Sequence, residues 1–443
     1  MKKFIFLGFL LFSGFLPLLA ETAARTVTFN EIWSLVKKNS PKLRAADFDL
    51  KASQVAENRA GNHWFPRVYL DARVFGTNDP ALSFMSILEE RQIGIADFSP
   101  LALNQPLDKL YERGTLGLDF PIFEGGAKQS LADSAHKSRE AKELEKEADT
   151  TGQYAQLAGS YATLLVLSDE EKNLGKLKLN VEEILKDYKI GSKSNPVGYS
   201  GLLGLKNLEN RLAGLKTQSQ ARQNILKSQI GIQTQSLKGD WAPTPGKAKD
   251  FLDQVFPSMD KPQDSAFVLA AQADADSLEK MKGMETARLF PKVALFGEGY
   301  LNGGDRSTAT GYTAGAYLQW DLLNIPNIGA DEQAADSWEA AKARAKLLKF
   351  KAELDSVQSS ESLRALNTNL DLMDDSAKLL EEQTETAKSL FKNGSINALQ
   401  LVEVLARRAD LITNRTQAEM DLVQARAMLA VNSGFKEPSI DLQ

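Results

Sequence analysis

The sequence contains no cysteine and only two histidines, His63 and His136, among its 443 residues. The lack of cysteine excludes disulfide bonds, thiolate metal sites, a cysteine nucleophile and a lipid-modified amino-terminal cysteine. The two histidines have no carboxylates at ligand spacing around them, which disfavours a zinc site or histidine acid–base chemistry. P-loop, G-x-G-x-x-G, H-E-x-x-H and G-x-S-x-G motifs are also missing. The sequence therefore predicts a protein that is not an enzyme and that holds no metal or cofactor.

Long apolar runs are missing too, except at the amino terminus. The chain begins Met-Lys-Lys, continues with the apolar residues 4–19 and then reaches the small residue Ala20. This pattern is typical of a secretory signal peptide. We therefore expect cleavage after Ala20, with Ala23 and Ala24 as alternative sites. A membrane anchor is the competing interpretation, but the run is short for about 30 Å of hydrocarbon.

Basic clusters are the third absence. The formal net charge is −5 and the mean hydropathy is −0.29, with no block of Lys or Arg anywhere in the chain. Nucleic acid is therefore not an expected partner, and a helical membrane protein is not an expected class.

Two parts of the chain repeat each other. Residues 64–70 read Trp-Phe-Pro-Arg-Val-Tyr-Leu and residues 289–295 read Leu-Phe-Pro-Lys-Val-Ala-Leu. Further along, Tyr-Lys-Ile-Gly-Ser at 188–192 corresponds to Phe-Lys-Asn-Gly-Ser at 391–395. Landmarks shared in the same order predict an internal tandem duplication.

The predicted organisation follows from these landmarks and from proline. Prolines 243, 245, 257 and 262 predict an irregular connector between the repeats. The expected segments are a signal peptide (1–20), a first repeat (21–235), the connector (236–261), a second repeat (262–434) and a carboxy-terminal tail (435–443).

Each repeat contains a long proline-free stretch with a heptad pattern. Residues 127–190 place Ala or Ser at heptad spacing, and a similar pattern runs from Trp338 to Ala387. Such heptads predict helices about 95 Å long that pack along a continuous seam. Shorter helices are expected at 197–232 and 397–433, after Gly191 and Gly394 end the long ones. Segments 28–62 and 262–288 would supply the missing length by stacking end to end with these shorter helices.

Four segments alternate apolar and polar residues, near 64–75, 111–123, 289–301 and 311–323. A soluble antiparallel sheet with one face on a core would show this pattern, and so would a membrane β-barrel wall. Large aromatic residues at the helix-proximal ends favour the membrane interpretation, because they would form an interfacial girdle. These girdle candidates are Trp64, Phe65, Phe120, Phe123, Phe290 and Trp320. Four strands cannot close a barrel, so several copies must contribute strands to one barrel.

These features resemble the outer-membrane efflux (TolC) family over essentially the whole mature chain. The stretch Asp-Phe-Pro-Ile-Phe-Glu-Gly-Gly at 119–126 resembles the family's strand-to-helix junction, and the two Gly-centred helix turns match as well. The insertion at 96–106 resembles an outer loop of some members. The second repeat departs at its junction, where Asp-Leu-Leu-Asn at 321–324 replaces the Gly pair. We expect a different turn with the same role there.

The resemblance implies a mainly α fold with a small β part: a long helical periplasmic barrel, and four strands per chain in a shared 12-stranded outer-membrane barrel. It further implies a homotrimer in outer-membrane lipid that extends into the periplasm. Such a trimer is a passive exit duct for efflux or type I secretion, opened by a periplasmic adaptor and an inner-membrane transporter. A periplasmic coiled-coil adaptor or structural linker without a channel is the alternative, since it shares the helical hairpins.

The resemblance also indicates site residues at the far helix ends. The turns that would dock the adaptor contain Gly191, Ser192 and Pro196 in one repeat and Gly394 and Ser395 in the other. Acidic gate positions of the family fall on Gln400 and Glu403. Under threefold symmetry, Glu403 carboxylates would form a ring that attracts cations. The alternative is that Glu403 is an ordinary solvated helix residue.

Overall fold

A computed structural model describes residues 25–189, 196–237, 240–257 and 263–437. Residues 1–20, Gly191 and Ser192 lie outside these ranges. The described part of the chain is mainly helical, with one four-stranded and one two-stranded sheet. The helices are α1 (Phe29–Asn39), α2 (Pro41–Gly61), α3 (Pro80–Glu89), α4 (Pro100–Asn104), α5 (Ala127–Asp187), α6 (Pro196–Thr234), α7 (Ala248–Val255), α8 (Ala266–Ala287), α9 (Ala330–Lys392) and α10 (Ala398–Asn432). The strands are β1 (Arg25–Val27), β2 (Arg67–Thr77), β3 (Lys109–Glu124), β4 (Trp241–Pro243), β5 (Lys292–Gly303) and β6 (Thr308–Gln319).

The two long helices are confirmed. Helices α5 and α9 contain 61 and 63 residues, which corresponds to about 90 and 95 Å. Small residues at heptad spacing form their buried seams: Ser134, Ala141, Ala155 and Ala162 in α5, and Ala345, Ala352 and Ser359 in α9. Such residues let backbones approach closely. Where α5 packs against α8, the Oγ atom of Ser134 in α5 lies 3.0 Å from the Oγ atom of Ser277 in α8.

The shorter helices stack end to end, as expected from their lengths. Helix α5 packs against α2 and α8 in the half nearer the four-stranded sheet and against α6 and α10 in the other half, and α9 packs against α8 and α10. The side chain of Asn39 donates to the carbonyl of Thr234 (2.7 Å), where α1 meets α6. The amide of Gln263 donates to the carbonyl of Ser433 (3.1 Å), where α8 meets α10. Both halves thus run helix, strand pair, long helix, shorter helix; the repeat boundaries stay a prediction.

Two separate apolar cores stabilise the helices. The central core, at mid-height, includes Trp33, Leu157, Phe256 and Phe435. The tip core, at the end far from the four-stranded sheet, consists of leucine, alanine and valine residues from α5, α6, α9 and α10. Its largest side chains are fully buried: Leu174, Leu205, Leu212 and Leu401.

The prediction of an irregular connector at 236–261 is wrong for residues 241–255, which contain a strand and a helix. Strand β4 pairs in parallel with β1, and α7 buries Leu252 and Val255 in the central core. The hydroxyl of Tyr161 accepts from the amide of Thr244 (2.9 Å) and donates to the carbonyl of Val27 (3.0 Å), which holds both strands on α5. Pro243 is the last residue of β4, while Pro245 and Pro257 flank α7, so the stretch between these two is free to form two helical turns.

The two strand-to-helix junctions use the same backbone conformation. Gly126 precedes α5 with φ +86°, and Gly329 precedes α9 with φ +84°. The sequence placed the second junction at 321–324, whereas the left-handed residue comes later, after a short 3₁₀ turn at Ile325–Asn327. Glycine adopts this conformation without the steric cost that other residues bear.

Two glycines of α6 provide a matched test of packing at the tip core. A Cβ atom on Gly201 would lie 2.6 Å from the Ala398 Cβ and 2.5 Å from the Tyr188 hydroxyl, whereas one on Gly214 would meet nothing within 4 Å. We expect Gly201→Ala to lower stability by about 1–3 kcal/mol through overpacking. Gly214→Ala should raise it by about 0.5–1 kcal/mol through helix propensity. Thermal unfolding of the purified variants measures both, and shifts of the same sign would contradict this packing.

Candidate functional site

The four-stranded sheet lies at one end of the helices, in the order β2-β3-β5-β6 with every pair antiparallel. The predicted strands are thereby confirmed. Directly opposed residues share a face of the sheet. One row across the sheet therefore runs Leu70, Leu116, Gly299, Tyr312, and the adjacent row on the other face runs Tyr69, Gly117, Glu298, Thr313.

One face of the sheet is apolar and exposed. Leu70 is 77% exposed and Tyr312 is 86% exposed. The same face carries Val68, Val74, Leu116, Leu118, Leu295, Leu301 and Leu318, all exposed as well. A contiguous apolar surface of this extent marks contact with lipid or with another protein.

The opposite face is polar. The hydroxyls of Tyr69 and Tyr300 both donate to the carboxylate of Glu298, and the Arg113 guanidinium lies 5.0 Å from the Tyr300 ring. The ring of Tyr69 also covers Gly117, where any Cβ would clash with it. Large side chains over glycine stabilise a twisted sheet. The sheet thus separates an apolar side from a hydrogen-bonded, charged side.

Both edges of the sheet are open. Among the described strands, β2 pairs only with β3, and β6 only with β5. Each edge therefore presents a row of backbone donors and acceptors that can pair with a further strand.

The six girdle candidates lie together at the helix-proximal end of the sheet. The register brings the start of β2, the end of β3, the start of β5 and the end of β6 to this end. Five of the six are exposed (Trp64, Phe65, Phe123, Phe290 and Trp320), while Phe120 is half-buried. The Trp320 indole donates to the carbonyl of Leu289 (3.0 Å), which ties the two ends of the second strand pair together.

At the opposite end, the helix tips form a second candidate site. Gly394 has φ +73° and ends α9, with the amide of Ser395 donating to the carbonyl of Leu390 (2.8 Å). Pro196 is the first residue of α6. Between the tips lies a cleft of about 840 Å³ whose walls include the Tyr188 and Phe391 rings, stacked with centroids 6.2 Å apart. The sequence indicated the turns but missed this cleft.

The two gate candidates have different local roles. The side chain of Gln400 accepts from the amide of Asn397, and the Asn397 side chain accepts from the amide of Gln400, both at 3.0 Å. Gln400 therefore caps α10. The carboxylate of Glu403 lies 2.6 Å from the guanidinium of Arg407, and both side chains are 63% exposed. Sequence reasoning considered Glu403 alone and missed this partner one turn further along the helix.

Among the described residues, none of the helices combines the length and the apolar composition of a membrane-spanning helix. Within the same ranges, His, Asp and Glu do not gather in groups of three or more that would suit a metal ion.

No family model matches the sequence, and no curated protein matches it. Several solved structures match the fold of this chain. The outer membrane protein VceC of Vibrio cholerae aligns with TM-score 0.71 and 16% identity, over 92% of this chain and 97% of that one. The CmeC outer membrane channel of Campylobacter jejuni gives TM-score 0.74, 12% identity and coverage of 93% and 87%.

The MtrE outer membrane channel of Neisseria gonorrhoeae, in its open state, gives TM-score 0.74, 12% identity and coverage of 92% and 89%. At these identities the likeness is one of fold. The chain has the TolC-like fold of outer-membrane channels, as the sequence predicted.

Proposed function

We propose that this chain is one protomer of a homotrimeric outer-membrane channel-tunnel, a passive exit duct for efflux or type I secretion. The observation that carries the proposal is the sheet: an apolar exposed face, a charged opposite face and two unpaired edges, joined to helices of about 90 Å. This combination suits a stave of a barrel wall with lipid outside and water inside. The girdle candidates would then lie at the water–lipid boundary.

Closure by several copies follows from the open edges, and the number three follows from the resemblance to the TolC family. Backbone groups left unpaired in hydrocarbon cost several kcal/mol each, so β2 of one copy must pair with β6 of the next. Three copies would give a 12-stranded barrel. The helices support the same arrangement, since α9 exposes Leu347, Phe350 and Leu354 on one side of the protomer and α2 exposes Phe48 and Val55 on the other. A neighbouring copy would cover both surfaces.

The helical part would form a tunnel through the periplasm, with its tips facing the inner membrane. The proposed docking site for a periplasmic adaptor is the cleft at the tips, together with the turn at Gly394 and Ser395 and the turn that the sequence predicts at Gly191, Ser192 and Pro196. An inner-membrane transporter would supply the energy, because nothing in the sequence indicates catalysis by this chain. A soluble periplasmic adaptor would not carry an exposed apolar sheet of this size.

Adjacent residues of β6 test the lipid-facing role. Tyr312 lies on the apolar face and Thr313 on the charged face opposite Glu298, and both are exposed in one chain. Tyr312→Arg should destabilise the assembled barrel by about 2–4 kcal/mol, the cost of Arg on the lipid side near the membrane centre. Thr313→Arg, which faces a carboxylate, should assemble normally. The readout is the amount of trimer in outer-membrane fractions, and equal amounts for both variants would contradict the proposal.

The pair Glu403 and Arg407 tests the gate. If both side chains face the pore, the negative charge of Glu403 favours cations in the pore and the positive charge of Arg407 favours anions. Glu403→Ala should then shift ion selectivity toward anions, and Arg407→Ala should shift it toward cations. Reversal potentials of single channels in a KCl gradient measure both shifts. Unchanged selectivity in both variants would show that this turn of α10 does not line the pore. Glu403 would then be an ordinary solvated helix residue.

A further inference from the structure

The segment between β2 and β3 folds back onto the charged face of the sheet, at the end away from the long helices. Helix α3 begins three residues after Thr77, the last residue of β2, and α4 ends shortly before β3. Tyr111 of the charged face is only 2% exposed and lies beside Ser83 and Glu90. Arg113 of the same face lies 3.4 Å from the carboxylate of Glu89. We name residues 80–105 the mouth insert.

The mouth insert is fixed to the turn between β5 and β6. The buried carboxylate of Glu90 accepts from the amides of Arg306 and Ser307, both at 3.0 Å. The Ser307 hydroxyl donates to the carbonyl of Glu90 at 2.7 Å. The Arg306 guanidinium makes two bonds to Asp97, of 2.7 and 2.5 Å, and holds the pKa of that carboxyl well below its usual range. Bidentate pairs of this kind fix orientation as well as position.

The polarity of α3 is the reverse of an ordinary surface helix. Its side toward the sheet buries Ser83 and Ser86, whereas a helix on a protein surface normally buries its apolar side. Several apolar residues of the mouth insert are exposed instead, namely Leu82, Met85, Leu88, Ile95, Phe98 and Leu101, while Phe84, Ile87, Ile93 and Leu103 are half-buried. An exposed apolar surface held in place by buried polar contacts indicates a partner on its outer side.

The dimensions of the proposed barrel indicate that this partner is the mouth insert of another copy. Twelve strands about 4.8 Å apart, tilted by about 40°, enclose a backbone diameter of about 24 Å. A helix with its side chains is about 10 Å across, so three inserts directed inward would nearly fill the opening. Lipid is the less suitable partner, because the insert contacts Tyr111 and Arg113 on the charged face.

We propose that the mouth inserts of three copies meet around the axis and form an apolar constriction at the outer mouth of the channel. This inference rests on the proposed trimer. Apolar constrictions of pores exclude water and ions by dewetting. The channel would therefore have a second barrier, in series with the one at the helix tips. The contacts of Glu90 and Asp97 with the β5–β6 turn would hold the inserts at the mouth, so that ions pass only when the inserts separate.

The cysteine-free chain allows a direct test by cross-linking. Ile95→Cys, in the full-length protein purified from membranes, is treated with a short bifunctional methanethiosulfonate. Most chains should become covalently paired, and single-channel conductance should fall at least twofold and recover on reduction. Val74→Cys is the control, since Val74 is 66% exposed on the apolar face near the same end of the sheet; it should not cross-link.

The outcomes separate the two proposals. A trimeric, conducting protein in which Ile95→Cys does not cross-link, or cross-links without a change in conductance, overturns the mouth constriction and leaves the channel proposal standing. A monomeric protein without conductance overturns both.

Discussion

The structure depends on one constraint: backbone groups at the edges of the four-stranded sheet require partners, and the described part of the chain does not provide them. Strands β2 and β6 are each paired on one side only among the described strands, and the face they frame is apolar. In water, such a sheet would present both an aggregation-prone edge and a large apolar surface. In a membrane, pairing with further copies satisfies both requirements. The proposed trimer accounts for the edges and the face together.

The helices fit the same geometry. Small residues along the seams of α5 and α9 let the helices lie side by side without a thick apolar layer between them. This suits a wall one to two helices thick. The apolar layer is confined to the central core and the tip core. The central core holds the strand pair β1–β4, α7 and Phe435, which follows α10, against the middle of α5. The junctions between stacked helices are therefore supported where the helices are interrupted.

The sequence predicts those parts of the fold that repeat at short range. The heptad spacing predicts α5 and α9, and the alternation of apolar and polar residues predicts the four strands. Gly394 predicts a helix end because a glycine turn depends only on neighbouring residues. The parts that were missed depend on contacts between distant residues. Strand β4 exists because it pairs with β1, more than two hundred residues earlier in the chain, and proline density masked it. Gly329 was missed because a 3₁₀ turn at Ile325–Asn327 moves the left-handed residue beyond 321–324, where the sequence placed the junction.

The candidate site shows the same division. The alternation within 311–323 places neighbouring residues such as Tyr312 and Thr313 on opposite faces, and the Gly-centred turns mark the helix tips. The cleft at the tips and the contact of Glu90 with the β5–β6 turn join residues far apart in the chain, for which neither propensity nor periodicity carries a signal. The pairing of Glu403 with Arg407 is different, since a spacing of one helical turn is visible in the sequence.

The most direct test is an electron cryomicroscopy structure of the protein purified from outer membranes. The account predicts three copies around one axis, with β2 of each copy hydrogen-bonded to β6 of the next in a closed 12-stranded barrel. A single copy, or a sheet whose apolar face is covered by a water-soluble domain, would contradict it.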